Sequence, residues 1–139
     1  MPQAREKVRE ALGRMLANGP LTHLPAKEAD LEMLLALAGS RFAPAREYRE
    51  REINEVLQEW LSTFCLPGGV DHVTLRRCLV DAGFLTRNKA GSSYTATMGR
   101  VGEVLADDVR DVEPAGILEE IRRDRESRKR DRTRQEARS

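Results

Sequence analysis

The sequence predicts a mainly α fold with a small β-hairpin (α+β), and three observations carry that expectation. First, Val70 to Thr97 reads as a short helix that feeds straight into a hairpin. Leu75, Cys78, Leu79 and Ala82 share a helical face, Gly83 can stop the helix, and Phe84-Leu85 opens a strand that turns at Asn88-Lys89-Ala90-Gly91. Second, Glu50 to Leu61 places Ile53, Val56, Leu57, Trp60 and Leu61 on one apolar side, followed by a Pro67-Gly68-Gly69 break. Third, aromatic residues make up only 4% of the chain and charged residues 34%, so the core must be aliphatic and the surface dense with charge. Helix, break, helix, hairpin is the outline of a winged helix-turn-helix, here with helical N- and C-terminal extensions.

With 139 residues the chain has room for one domain plus extensions. The expected division is an N-terminal amphipathic helix in 1–19, a winged-helix domain in 20–98, and a helical extension with a charged tail in 99–139. From Gln3 to Ala17, the residues Ala4, Val8, Ala11, Leu12, Met15 and Leu16 recur at helical spacing until Asn18-Gly19-Pro20 ends the pattern. So short a helix is marginal alone, and its stripe must pack on its own domain or on a second subunit. Pro25 is placed to start the next helix, which runs through Leu31, Leu34, Leu35 and Ala38 to Gly39. Tyr48 lies in a short extended run that can add a third strand beside the wing. Arg49 then occupies a capping position with Glu52 three residues on; an arginine cannot accept the backbone hydrogen bond, which leaves half a capping box. After the hairpin, Val101, Val104, Leu105, Val109 and Val112 suggest one helix over 99–112, interrupted by Asp107-Asp108. Pro114 opens a last segment with Ile117, Leu118 and Ile121. Beyond it, RRDRESRKRDRTRQEARS has no apolar residue except Ala137 and reads as a solvated helix or a disordered tail.

A net charge of +1 conceals an uneven distribution. Residues 1–19 carry four basic and two acidic groups, 20–98 nine and ten, 99–116 two and five, and 117–139 nine and six. In the last of these the interleaved acids favour self-pairing at i, i+4 over a strong phosphate binder. No apolar run approaches the roughly 18 residues that span a bilayer, and MPQAREKVRE lacks the apolar region of a secretory signal. A cytoplasmic protein with no membrane contact is expected. Cys65 and Cys78 make no disulfide framework, and with His23 and His72 they lack metal-ligand spacing, so no metal site is expected. There is no P-loop, GxGxxG, HExxH, nucleophile elbow or EF-hand loop. No cofactor and no enzymatic activity are implied.

The candidate DNA-binding residues are His72, Thr74, Arg76, Arg77, Arg87 and Lys89. Arg76 and Arg77 lie opposite Leu75 and Leu79 on the helix, where a guanidinium fork can pair with guanine or with phosphate oxygens. His72 and Thr74 stand near the helix start, Arg87 and Lys89 in the wing, and Ser92 and Ser93 offer hydroxyls beside them. Against these stand Val73 and Val80, an apolar pair among the arginines that suggests a covered face, and Asp71 and Asp81, which repel phosphate. The expected partner is duplex DNA; a protein partner is the alternative use of the same fold. A homodimer is expected as well, because the flanking helices carry apolar stripes beyond what the core requires.

The run FAPAREYREREINEVLQEW, followed by DHVTLRRCLVDAGFLTR and GSSY, resembles the bacterial domain-of-unknown-function family numbered 2087. The likeness covers about Leu21 to Tyr94, and Asn54, Leu75, Arg76, Arg77, Leu79, Val80 and Gly83 match its motif. It departs at Arg49, where a hydroxyl residue is usual, at Cys78, where Glu is usual, and by a Leu66-Pro67-Gly68-Gly69-Val70 insertion that lengthens the turn between the helices. Members of that family occur alone or attached to helix-turn-helix regulators of the arsenical-resistance-repressor type. The resemblance implies a winged-helix-like domain in a transcription-related setting, without an established catalytic residue.

Overall fold

In the computed structural model, which describes residues 2–138, the chain runs through helix α1 (Arg5–Met15), helix α2 (Glu28–Gly39) and strand β1 (Glu47–Arg49). Helices α3 (Glu50–Ser62) and α4 (His72–Asp81) follow, then strands β2 (Leu85–Arg87) and β3 (Ser93–Ala96). Helix α5 (Met98–Val104), a 3-10 turn at Asp107–Val109 and helix α6 (Pro114–Arg138) complete it. The fold is mostly helical with one small antiparallel sheet, as expected. Helix α2 is its axis. Met33 through Ala38 are all buried, so this helix is apolar around much of its circumference, and it packs against α4 and α5.

The helix α2 starts at Glu28 rather than at Pro25, because the chain at Leu21 is held elsewhere. Leu21 donates its N–H to the Phe64 carbonyl at 3.0 Å and accepts from Leu66 N–H at 2.9 Å, which ties the chain to the end of α3, and residues 22–27 return to α2 through bends. Tyr48 does enter a third strand. It pairs with Tyr94, and the sheet order is β1-β3-β2, with β3 in the middle. Helix α3 begins directly after β1 with half a capping box, in which Glu52 accepts the Arg49 N–H at 3.1 Å.

The expected helix over 99–112 is broken. Leu105 and Ala106 are extended, with φ/ψ of −117/135° and −62/152°, because the N-terminus pairs there. Gln3 donates to the Val104 carbonyl at 2.8 Å and accepts from Ala106 N–H at 3.1 Å. Those backbone bonds replace the helical ones the valine spacing alone would predict.

Helix α1 packs on α6 of the same chain. Val8, Ala11, Leu12 and Leu16 are buried together with Ile117 and Leu118, and Arg9 pairs with Glu120 at 2.6 Å across the contact. Further along, Arg125 donates to the Ala17 carbonyl just past the end of α1. The α1 part of the stripe that suggested a homodimer is therefore covered from within the chain. A joint between α2, α3 and α6 completes the frame. Glu113 accepts Trp60 Nε1–H at 3.1 Å and pairs with Arg41, whose guanidinium also donates to the Leu37 and Arg110 carbonyls.

Candidate nucleic-acid interface

Helix α4 is set at both ends. Asp71 caps its start, with Oδ1 accepting Val73 N–H at 3.3 Å and Oδ2 accepting the Thr74 hydroxyl at 3.4 Å. At the other end Gly83 adopts φ +84°, the left-handed conformation that stops a helix and costs a glycine nothing. Arg100 of α5 reinforces this end. Its Nε donates to the Ala82 carbonyl at 3.0 Å while the guanidinium lies 4.6 Å from the centroid of Phe84. Leu75 and Leu79 point into the core and are fully buried, as are Phe84 and, nearly so, Trp60.

The hairpin is closed by an asparagine. Asn88 Oδ1 accepts the N–H of Ser92 at 2.8 Å and of Ser93 at 3.3 Å, and its Nδ2 donates to Ser92 Oγ at 3.1 Å. Gly91, at φ +71°, lets Arg87 fold over the turn: a Cβ there would stand 2.6 Å from the Arg87 guanidinium. The wing is thus a tight turn crossed by a cation.

The structure separates the six sequence-predicted residues into two groups. Arg77, Arg87 and Lys89 are exposed, and among the described residues none of them has an ion-pair partner. The other three are engaged locally. Thr74 is bonded to Asp71, and His72 is half-buried with Nδ1 3.5 Å from Asp71 Oδ1. Arg76 is the correction. It does not stand beside Arg77 on an open face but reaches back to α3, where it donates to Asn54 Oδ1 and lies 3.3 Å from Glu50 Oε1, with its side chain only 17% exposed. Glu50 also accepts the Tyr94 hydroxyl at 3.2 Å, so one polar cluster joins α3, α4 and the central strand. The reason is angular. A residue one position after Leu75 lies at the margin of the buried stripe, and a long guanidinium at a margin is drawn to nearby acceptors.

The apolar pair that counted against an open face is split as well. Val73 is 37% exposed, whereas Val80 is partly buried against the core. Leu66, in the insertion, is 46% exposed. Between the end of α3, this loop and the start of α4 lies a groove of about 390 Å³ lined by Leu61, Cys65, Leu66, Val70 and His72. Burial pushes the Cys65 thiol up to about 11, so it stays protonated at neutral pH. No group of three or more His, Cys, Asp or Glu among the described residues is placed to hold a metal ion.

A further set of cations lies outside this face. The tail is helical as far as Arg138, the first of the two readings its composition allowed. Of the expected self-pairing, Glu119 joins Arg123 at 3.6 Å, whereas Asp124 and Glu126 form no ion pair with Arg128 or Arg130 among the described residues.

Residues 20–96 match a family described as an uncharacterized protein conserved in bacteria (DUF2087), and they span more than half of the chain. The chain belongs to the DUF2087 family. The matched segment holds α2 through β3, including both helices, the hairpin and the Arg76 cluster, while α1, α5 and α6 lie outside it. No curated protein and no solved structure matches the chain. No helix among the described residues is long and apolar enough to cross a membrane.

Proposed function

We propose that this chain is a non-enzymatic, cytoplasmic winged-helix protein that binds duplex DNA through α4 and the β2–β3 hairpin, in a transcription-related role. The observation that carries the reading is the state of three cations. Arg77 on the helix and Arg87 and Lys89 in the hairpin are exposed and, among the described residues, without ion-pair partners, on the two elements that a winged helix lays on DNA. The order helix, strand, helix, helix, hairpin and the strand order β1-β3-β2 agree with that fold. With Asp71 committed to capping, Asp81 is the nearest acid left on the outward side of α4.

Fluorescence anisotropy of a labelled duplex at several salt concentrations tests the reading. Each phosphate contact contributes about −0.9 to the slope of log K against log salt, so a triple variant carrying Arg77→Ala, Arg87→Ala and Lys89→Ala should flatten the slope by about 2.7. An unchanged slope and affinity would sink the assignment of this face. A second reading rests on Leu66, which lines the groove at the start of α4, and Val73, next to its lining residue His72; both are exposed large hydrophobic residues that suit a protein partner.

A further inference from the structure

The outer part of α6 carries charge out of proportion to anything it does for the fold. Residues 122–138 hold nine arginines and lysines against four acids. At 1.5 Å per residue they extend about 25 Å, and every side chain in that stretch is exposed. Two of the nine are used within the chain, Arg123 by Glu119 and Arg125 by the Ala17 carbonyl. Arg122, Arg128, Lys129, Arg130, Arg132 and Arg134 have no ion-pair partner among the described residues. Asp124 and Glu126 stand four residues before Arg128 and Arg130, and no ion pair joins them among the described residues.

We propose that this outer part of α6 is a binding arm for the phosphate backbone of duplex DNA, separate from α4 and the hairpin and not dependent on the reading given to them. The chemistry of the arm selects that occupant. A membrane-surface helix needs an apolar face, and after Ile121 the only apolar residue is Ala137. A single-strand binder stacks bases on aromatic rings, and the arm has none. A protein interface is anchored by buried aromatic or aliphatic side chains, which are absent here too. What remains is a rod with cations on two sides: Arg122, Arg128, Lys129 and Arg132 lie towards one, Arg123, Arg130 and Arg134 towards the other. Such an arrangement suits a regular array of phosphates read without regard to sequence. Arg9 with Glu120 and Arg125 with Ala17 tie the base of the rod to α1.

The test uses the full chain and a variant carrying Arg128→Gln, Lys129→Gln, Arg132→Gln and Arg134→Gln, which keeps good helix formers at all four positions. Circular dichroism should show both proteins equally helical. Anisotropy with a random-sequence duplex of about three turns should then show the salt slope flattened by roughly 2 to 4 and the affinity lowered at least tenfold at low salt. An unchanged slope overturns the proposal. So does binding of the unaltered chain to phosphatidylserine vesicles or to duplex RNA that equals its binding to DNA and is lost in the same variant. The Arg77, Arg87 and Lys89 triple variant, measured alongside, keeps the two proposals apart: loss in that variant alone leaves α4 and the hairpin and removes the arm, and loss in the α6 variant alone does the reverse.

Discussion

Replacing Arg76 by Ala should lower the stability of the fold and leave the outward face of α4 intact. The guanidinium joins three elements: it donates to Asn54 on α3 and lies 3.3 Å from Glu50, which in turn holds the Tyr94 hydroxyl of the central strand. A hydrogen bond from a charged donor in a part-buried site contributes about 1.5–3 kcal/mol. The Glu50 pair adds at most about 1 kcal/mol, because that carboxylate is half exposed and can be rehydrated. The loss should therefore be about 1.5–4 kcal/mol. For a chain of this length that lowers Tm by roughly 5–20 °C. Arg76→Lys should recover only part of it, since an ammonium group keeps the charge but cannot span both partners as a fork. The assay is a thermal melt followed by circular dichroism, paired with duplex binding well below Tm. Arg77→Ala serves as the converse, with Tm within about 2 °C of the parent. If Arg76→Ala keeps the parent Tm and loses DNA affinity at low temperature, Arg76 faces outward and the clamp does not exist.

Leu79→Ala should cost about 2–5 kcal/mol, read as a shift in urea midpoint, because Leu79 is fully buried and the cavity cannot fill with water; parent-like stability would show it exposed. Cys65 should resist iodoacetamide at pH 8 in the folded protein and react after unfolding, whereas Cys78, part exposed, reacts in both states. The same thiol makes stability fall at alkaline pH. Its pKa is raised from 9.0 unfolded to about 11 folded, so its contribution is whole below pH 9 and is lost between 9 and 11. A decline over that window no steeper in the parent than in Cys65→Ala would refute it. Deleting residues 2–17 should destabilise the fold by uncovering Ile117, Leu118 and Leu105 and leave the association state unchanged; sedimentation equilibrium and a melt test this, and a changed state with a parent-like Tm would refute it.

Local signals were legible where one residue type had one physical consequence. Gly83 ends α4, Asn88 and Gly91 close the hairpin, the Leu75 and Leu79 stripe is buried, and Tyr48 joins the sheet; each follows from a backbone preference or a helical period. Long-range pairing was not legible. The break in the 99–112 helix depends on Gln3, about a hundred residues earlier, and the late start of α2 depends on Leu21 meeting Phe64. Neither contact leaves a mark in the periodicity of the segment it alters. Tertiary backbone bonds there override a spacing that satisfied the helical pattern.

Charge was the least legible property, and it errs in opposite directions at two sites. Arg76 and Arg77 are adjacent and chemically identical, yet one is a clamp and the other a free cation. A rotation of 100° about the helix carries Arg76 to the edge of the buried stripe, where Asn54 and Glu50 wait as acceptors, and leaves Arg77 in solvent. In α6 the sequence favours mutual neutralisation by interleaved acids, but there solvent competes on every side. An exposed pair gains about 0.5 kcal/mol at most and must order two long side chains. Exposed pairs do form, as at Arg51 with Glu55 and Arg123 with Glu119, but solvent can replace either partner at little cost. Arg76, at the buried margin, is committed to Asn54 and Glu50, because leaving them would strand part-buried polar groups.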